Sequence, residues 1–113
     1  MGTMNFLLVY ITAPDMECAR SLGQTLVRER LAACANLIDG MESCYWWQDK
    51  IESARECVCL CKTTEAAYPA LELRAKELHP YDTPCIVALP LSHGNKAFLQ
   101  WIEKETGETR IKE

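Results

Sequence analysis

Two different spacings of apolar residues alternate along the chain. Continuous apolar runs, such as 6–11, indicate strands that are buried on both faces. Apolar residues that recur every three or four positions indicate amphipathic helices. On this basis the sequence predicts strands over 5–12, 32–47, 51–63 and 85–91, and helices over 15–31, 64–79 and 95–106.

Capping and proline signals mark where the predicted helices begin. Asp15 is a good N-cap for the first helix. Pro69 fits only near the first turn of a helix, so the second helix is expected to start late in its segment. In the third helix we expect Phe98, Trp101 and Ile102 to point inward.

The segment 32–47 contains two candidate turns. The Asp39-Gly40 pair is typical of a hairpin, which would divide the segment into two strands. The strand over 51–63, however, is long enough to pair back along the whole of 32–47. We therefore predict one long strand that bends at Gly40 through a bulge, followed by a turn at 48–50.

The order of elements is β-α-β twice, followed by a third helix. This order predicts an α+β fold of the ferredoxin-like, split β-α-β type, as one domain over 1–113 with an ordered core of about 5–106. Two helices would cover one face of a four-stranded antiparallel sheet and leave the other face bare. Because the strands are apolar on both faces, we expect the chain to form an oligomer.

Composition and charge narrow the class of protein. About half of the 113 residues are apolar and 25% are charged, as in ordinary soluble domains. The formal net charge of −4 argues against nucleic acid or an anionic membrane as a partner, because phosphate is bound mainly by Lys and Arg. The apolar runs are too short to span a bilayer and the first residues lack signal-peptide features, so we expect a cytoplasmic protein.

The chain contains seven cysteines, an odd number that favours free thiols in a reducing compartment. The alternating residues Cys57, Cys59 and Cys61 suggest a metal site at first. Side chains two residues apart on a strand are about 6.6 Å from each other, whereas sulfurs around one zinc ion are only about 3.8 Å apart. We therefore interpret these three residues as small core side chains.

The run 79–84, His-Pro-Tyr-Asp-Thr-Pro, joins the second helix to the last strand. Pro80 cannot continue a helix and disfavours the helical conformation at His79, while Pro84 stiffens the entry to the strand. Such a junction presents His79 and Tyr81 from a nearly fixed backbone, as a binding site requires. The alternative is a helix stop with a tyrosine packed beneath it.

Five short motifs occur in order along the chain, namely TAPD, LAACAN, YWW, KTT and HPYDTP at 12–15, 31–36, 45–47, 62–64 and 79–84. With these motifs the sequence resembles the CutA divalent-cation-tolerance family from about Leu8 to Ile102. The resemblance implies a ferredoxin-like fold, a tight homotrimer built through extended strands, and a role in tolerance of copper and other divalent metals.

The chain departs from this family at the expected metal ligands. Members discussed as copper binders have Cys before the TAPD motif and His-His before Pro-Tyr, where this chain has Ile11 and Leu78-His79. Cys85 stands in place of the family's glutamate. A site built from His79 and Cys85 would favour Cu(I) or Zn over hard cations. Cys34, which matches a family cysteine, is a third candidate ligand or else a small core residue.

The remaining candidates are residues for an interface or a cleft, namely Trp47, Lys62, Tyr81, Tyr45 and Trp101. Lys62 is interpreted as a partner for an anionic ligand, a carboxylate across a subunit boundary or solvent.

The first function hypothesis is a trimer that binds copper, zinc or another divalent metal. The alternative is a PII-like signalling trimer with small-molecule clefts between its subunits. An enzyme is not expected, because no nucleophile elbow, P-loop or paired carboxylates occur at recognisable spacing.

Overall fold

Four antiparallel strands form one sheet in the computed structural model of the chain, which describes residues 5–107. The elements, in chain order, are β1 (Phe6–Ala13), α1 (Met16–Arg28), β2 (Cys34–Trp47), β3 (Lys50–Thr64), α2 (Tyr68–Leu78), β4 (Ile86–Pro90) and α3 (Lys96–Glu105). The strand order in the sheet is β2-β3-β1-β4, with β1 paired to both β3 and β4. This is the predicted ferredoxin-like arrangement. The ends of the predicted domain, at 1–4 and 108–113, lie outside the described residues.

Strands β2 and β3 form a long, bent hairpin. Their pairing shifts register between Ile38 and Met41, where Gly40 has a positive φ of 84° that few other residues adopt. The predicted bulge at Gly40 is therefore confirmed. The chain reverses at Gln48 and Asp49, whose φ angles of 52° and 63° give the backbone twist of a two-residue hairpin turn.

Local signals place the helix starts correctly, but α1 ends earlier than predicted. The Asp15 carboxylate accepts the backbone N–H of Cys18 at 2.8 Å and so caps α1. Pro69 lies in the first turn of α2, as expected. The predicted end of α1 at residue 31 is wrong by three residues, because Arg30 takes the left-handed conformation with φ of 64° and stops the helix.

The hydrophobic core lies between the sheet and the helices α1 and α2. Every second residue of β1 and of the second half of β3 faces this core, and the main members are Val9, Ile11, Ala13, Leu22, Leu26, Cys57, Cys59, Cys61, Leu71 and Ala75. Helix α1 approaches the sheet closely at Gly23, where an added Cβ atom would lie 3.1 Å from the Cβ of Ala35. A larger side chain at Gly23 would push the helix away from the sheet.

The face of the sheet opposite α1 and α2 carries exposed apolar side chains, as predicted. Large exposed residues include Ile38, Val87 and Leu89 on this face and Tyr45, Trp46, Trp47 and Ile51 near the hairpin turn. Trp46 and Trp47 are 72% and 59% exposed, which is unusual for tryptophan in a folded chain.

Helix α3 differs from its predicted orientation. Only Ile102 is buried, whereas Phe98 and Trp101 are 43% and 39% exposed. The expectation that all three point inward is wrong, because α3 lies outside the core between the sheet and helices α1 and α2, with Phe98 beside the Lys62 ammonium. The Arg30 guanidinium pairs with the Glu105 carboxylate at 2.7 Å and holds α3 there.

None of the helices within residues 5–107 is long and apolar enough to cross a membrane.

Candidate functional site

His79 ends α2 and its imidazole is buried against the last residues of β1. The ring Nε2 lies 2.7 Å from the backbone oxygen of Thr12, and the backbone N–H of Tyr81 donates to Nδ1 at 3.2 Å. These partners assign the ring proton to Nε2, which donates to the Thr12 carbonyl. Both ring nitrogens are therefore occupied, and the imidazole joins α2 to β1.

Tyr81 packs beside this imidazole, with ring centroids 4.9 Å apart. Its hydroxyl donates to Glu56 Oε2 at 3.5 Å, and the Ser43 hydroxyl donates to the other Glu56 oxygen at 2.6 Å. Partial burial, followed by the charge of Glu56, raises the pKa of Tyr81 above its ordinary value. Glu56 was not singled out in the sequence, because only the pairing of β2 with β3 places it beside Ser43.

Cys85 lies at the same corner of the sheet as His79, but Cys34 does not. The Cys85 carbonyl accepts the backbone N–H of Thr12 at 3.4 Å, so Thr12 contacts both residues. The Cys85 thiol is exposed. The junction at 79–84 thus brings two of the three predicted metal ligands to one corner.

Cys34 lies toward the opposite end of β1. It pairs with Lys62, which in turn pairs with Leu8. Leu8 and Thr12 are four positions apart on β1, a distance of about 13 Å. The three predicted ligands therefore do not form one site within a chain. Across residues 5–107, no three His, Cys, Asp or Glu side chains are grouped so as to hold a metal ion.

Lys62 is the centre of a second polar cluster, on the face opposite α1 and α2. Its ammonium donates to Asn36 Oδ1 at 2.6 Å and lies 3.6 Å from the Cys34 sulfur. The ring centroid of Phe98 lies 5.9 Å from the same nitrogen, in the range of a cation–π contact. Within the described part of the chain Lys62 has no carboxylate partner. The position of Asn36, two residues after Cys34 on the strand, is a signal that sequence reasoning missed.

The predicted cleft residues do not converge within one chain. Trp47 pairs with Lys50 at the hairpin turn, and Lys50 is twelve positions before Lys62 on β3. At the rise of an antiparallel strand this is about 40 Å, most of the 48 Å length of the molecule. A cleft that contains both Trp47 and Lys62 therefore requires two subunits. Trp101 lies on α3 beside Phe98, with ring centroids 5.4 Å apart.

The three alternating cysteines of β3 are core residues, as interpreted, but one premise of that interpretation is wrong. All seven cysteines are free thiols, and Cys57, Cys59 and Cys61 are the buried ones. The sulfurs of Cys59 and Cys61 are only 3.8 Å apart, because the two side chains lean toward each other along the strand. Cys57 instead donates to the Asp39 carboxylate at 3.3 Å, which lowers the pKa of Asp39.

The family model described as "CutA1 divalent ion tolerance protein" matches residues 7–105, nearly the whole of the described chain. The chain belongs to the CutA divalent-cation-tolerance family. The five sequence motifs and the split β-α-β sheet agree with this assignment.

Three similar proteins illustrate the relationship. The "Divalent-cation tolerance protein CutA" of Thermus thermophilus is 47% identical over 100 residues, which cover 88% of this chain and 97% of that protein. The rice (Oryza sativa) "Protein CutA 1, chloroplastic" is 37% identical over 107 residues, 95% of this chain but only 60% of its own length. The solved structure "Divalent cation tolerance protein (Cut A1)" from Thermus thermophilus superposes with a TM-score of 0.89, at 46% identity over 90% of this chain and 99% of that one.

These names indicate no catalytic activity. The rice relative is named as chloroplastic, so the compartment of this chain does not follow from its family. The cytoplasmic location remains a prediction.

We predict that His79→Phe lowers the free energy of unfolding by about 2–4 kcal/mol, because it leaves the Thr12 carbonyl and the Tyr81 N–H without their partner. Denaturant unfolding measures this loss. The control is His93→Phe, since His93 is exposed and a change there should stay within about 0.5 kcal/mol. Equal stabilities of the two variants would contradict the structural role of His79.

Proposed function

We propose that the protein works as a homotrimeric divalent-cation-tolerance protein that binds copper, or a similar soft ion such as zinc, near its subunit boundaries. The observation that carries this proposal is the unpartnered apolar face of the sheet, which continues to the tryptophans near the hairpin turn. Membership of the CutA family supports the tolerance role.

Assembly explains why the strands are apolar on both faces. One face packs against α1 and α2. The other face exposes two apolar side chains of strand β4, Val87 and Leu89, which are 51% and 53% exposed. A second copy of the chain is a suitable cover, because it offers the same apolar face.

The exposed thiol of Cys85 is the best-placed metal donor at the His79 corner. The imidazole is held by Thr12 and Tyr81, so the sulfur is the atom that an ion reaches without breaking the fold. Further ligands would come from the neighbouring subunit. A thiolate donor selects soft ions such as Cu(I), and Zn(II) is the next best match.

The assembly prediction is tested with Leu89→Glu. Burial of a leucine side chain contributes about 1.5–3 kcal/mol, and a charge in its place opposes packing, so the variant should have a smaller mass in solution than the trimer of the unmodified protein. Size-exclusion chromatography with light scattering measures both masses. The control is Leu73→Glu, which changes a somewhat more exposed leucine on α2, on the helix side of the sheet, and should stay trimeric. A monomeric unmodified protein, or an intact Leu89→Glu trimer, would overturn the assembly.

The metal prediction is tested by anaerobic titration of the reduced protein with Cu(I) and with Zn(II). Saturable binding is expected, with affinity that falls in acid because the thiol must lose its proton. Cys85→Ser should weaken it by about tenfold or more, equivalent to about 1.4 kcal/mol. Cys44→Ser is the matched control, because Cys44 is also an exposed thiol but lies in the hairpin. Binding that survives Cys85→Ser unchanged would rule out this corner as the site.

A second candidate function follows from Lys62. Its ammonium is held by Asn36 and faces no carboxylate within the described residues, so we propose as the alternative that an anionic small molecule binds there, in a PII-like cleft between subunits.

Thermal melting across a panel of anionic metabolites tests this alternative. A ligand present at one hundred times its Kd stabilises the folded protein by about 2.7 kcal/mol, which is a readily measured rise in Tm. Lys62→Met should abolish the rise, whereas Lys76→Met on the exposed surface of α2 should keep it. A flat response of the unmodified protein across the panel would count against the cleft.

A further inference from the structure

Two thiols stand side by side in the core, outside the corner and the clusters described above. Cys59 and Cys61 are fully buried, and their sulfurs are 3.8 Å apart. They occupy successive positions on the core face of β3, and their neighbours on β2 are Leu37 and Ala35. Neither the family assignment nor the proposed function uses these thiols.

The spacing of the two residues is wrong for a disulfide. A disulfide requires Cβ atoms about 3.5–4.5 Å apart, whereas residues two apart on a regular strand are separated by about 6.6 Å. The sulfurs approach each other only because the side chains lean inward, and a covalent S–S bond would distort β3. The pair is therefore not a disulfide awaiting oxidation.

The same spacing suits one metal ion between the two sulfurs. With metal–sulfur distances of about 2.3 Å, two sulfurs on one ion are about 3.8 Å apart at a tetrahedral angle and about 4.6 Å apart in a linear arrangement. The observed 3.8 Å lies at the lower end of this range, and the backbone separation allows the sulfurs to move apart.

We propose that Cys59 and Cys61 form a buried site for a soft metal ion that accepts two thiolate ligands. As the ion enters, each thiol gives up its proton to solvent and each sulfur forms one bond to the metal, with no change of oxidation state. A divalent soft ion such as Hg(II) then leaves the site neutral, which suits an apolar core better than the net negative charge left by Cu(I). Zinc is disfavoured, because it requires four ligands and the pair supplies two.

The two sulfur ligands set the selectivity of the site. Soft metal ions bind thiolate ligands strongly, whereas hard divalent ions prefer oxygen ligands.

The pair lies near a surface groove at the point where α1 has no side chain. Gly23 lies over Cys59, since a Cβ atom added there would be 3.5 Å from the sulfur. A groove of about 450 Å³ opens beside this point, and its lining includes Gly23, Ala35 and Leu37. The two β2 residues are the same neighbours that flank the thiols, so an ion from this groove reaches the sulfurs only when α1 and β2 move apart.

The test uses the whole reduced protein after its accessible thiols have been alkylated with iodoacetamide under native conditions. Mass spectrometry counts the modified residues and confirms that Cys57, Cys59 and Cys61 remain free. Hg(II) is then added. We expect one ion per chain by native mass spectrometry, a thiolate-to-mercury absorption band and a higher Tm. Zn(II) should produce none of these changes.

Three variants locate the ion. Cys59→Ala and Cys61→Ala should each lose the bound Hg(II), whereas Cys57→Ala should keep it, because Cys57 is equally buried on the same strand but pairs with Asp39. Circular dichroism confirms that each variant is folded. The unmodified protein gives a second measurement. When the Hg(II)-loaded protein is unfolded and alkylated, the bound ion should protect Cys59 and Cys61 from modification but leave Cys57 reactive.

The inference is overturned if Hg(II) binding is absent, if Cys57→Ala loses the ion as well, or if either Cys59→Ala or Cys61→Ala retains it. Because Cys85 and Cys34 are to be blocked before the ion is added, these outcomes are independent of the proposed surface site. Incomplete blocking of either residue is visible in the mass count.

Discussion

The structure depends on one constraint, which is that two helices cover only one face of a four-stranded sheet. Successive side chains of a strand point to opposite faces, so each apolar strand divides its side chains between a packed face and an open one. The packed face holds Val9, Ile11 and the buried thiols of β3, whereas the open face holds Lys62 and the exposed side chains of β4. Both proposed functions use the open face, and the inferred dithiol site uses the packed one.

The motif at 79–84 serves the fold directly. His79 satisfies a carbonyl at the end of β1 and an N–H of its own turn, so a single imidazole ties α2, β1 and the approach to β4 together. A neutral imidazole does this well, because it carries one donor and one acceptor. A histidine that completes two buried hydrogen bonds is costly to remove whatever the protein binds, so its presence in the motif has a structural explanation. The metal proposal consequently rests on the exposed sulfur beside it.

The seven thiols occupy different environments and are therefore chemically distinct. Cys44 and Cys85 are exposed, and Cys34 lies beside the ammonium of Lys62. Burial and a hydrogen bond to a carboxylate raise the pKa of Cys57, while Cys59 and Cys61 contact each other in the core. The seven cysteines of this chain thus do not form one shared site. The alternation of side chains along a strand separates these cysteines, because it places Cys59 and Cys61 on one face of the sheet and Cys34 on the other.

Features that depend on a few neighbouring residues can be predicted from the amino-acid sequence. Asp15, Pro69 and Gly40 were sufficient to place two helix starts and the bend of β2, because capping, proline geometry and positive φ act within one turn of the chain. The order of elements then determined the sheet. Three features follow from the folded arrangement alone, namely the partners of His79, the exposure of Phe98 and Trp101, and the 3.8 Å contact between two sulfurs. Each of these depends on side-chain rotamers and on segments distant in sequence, and spacing along the chain carries no information about either.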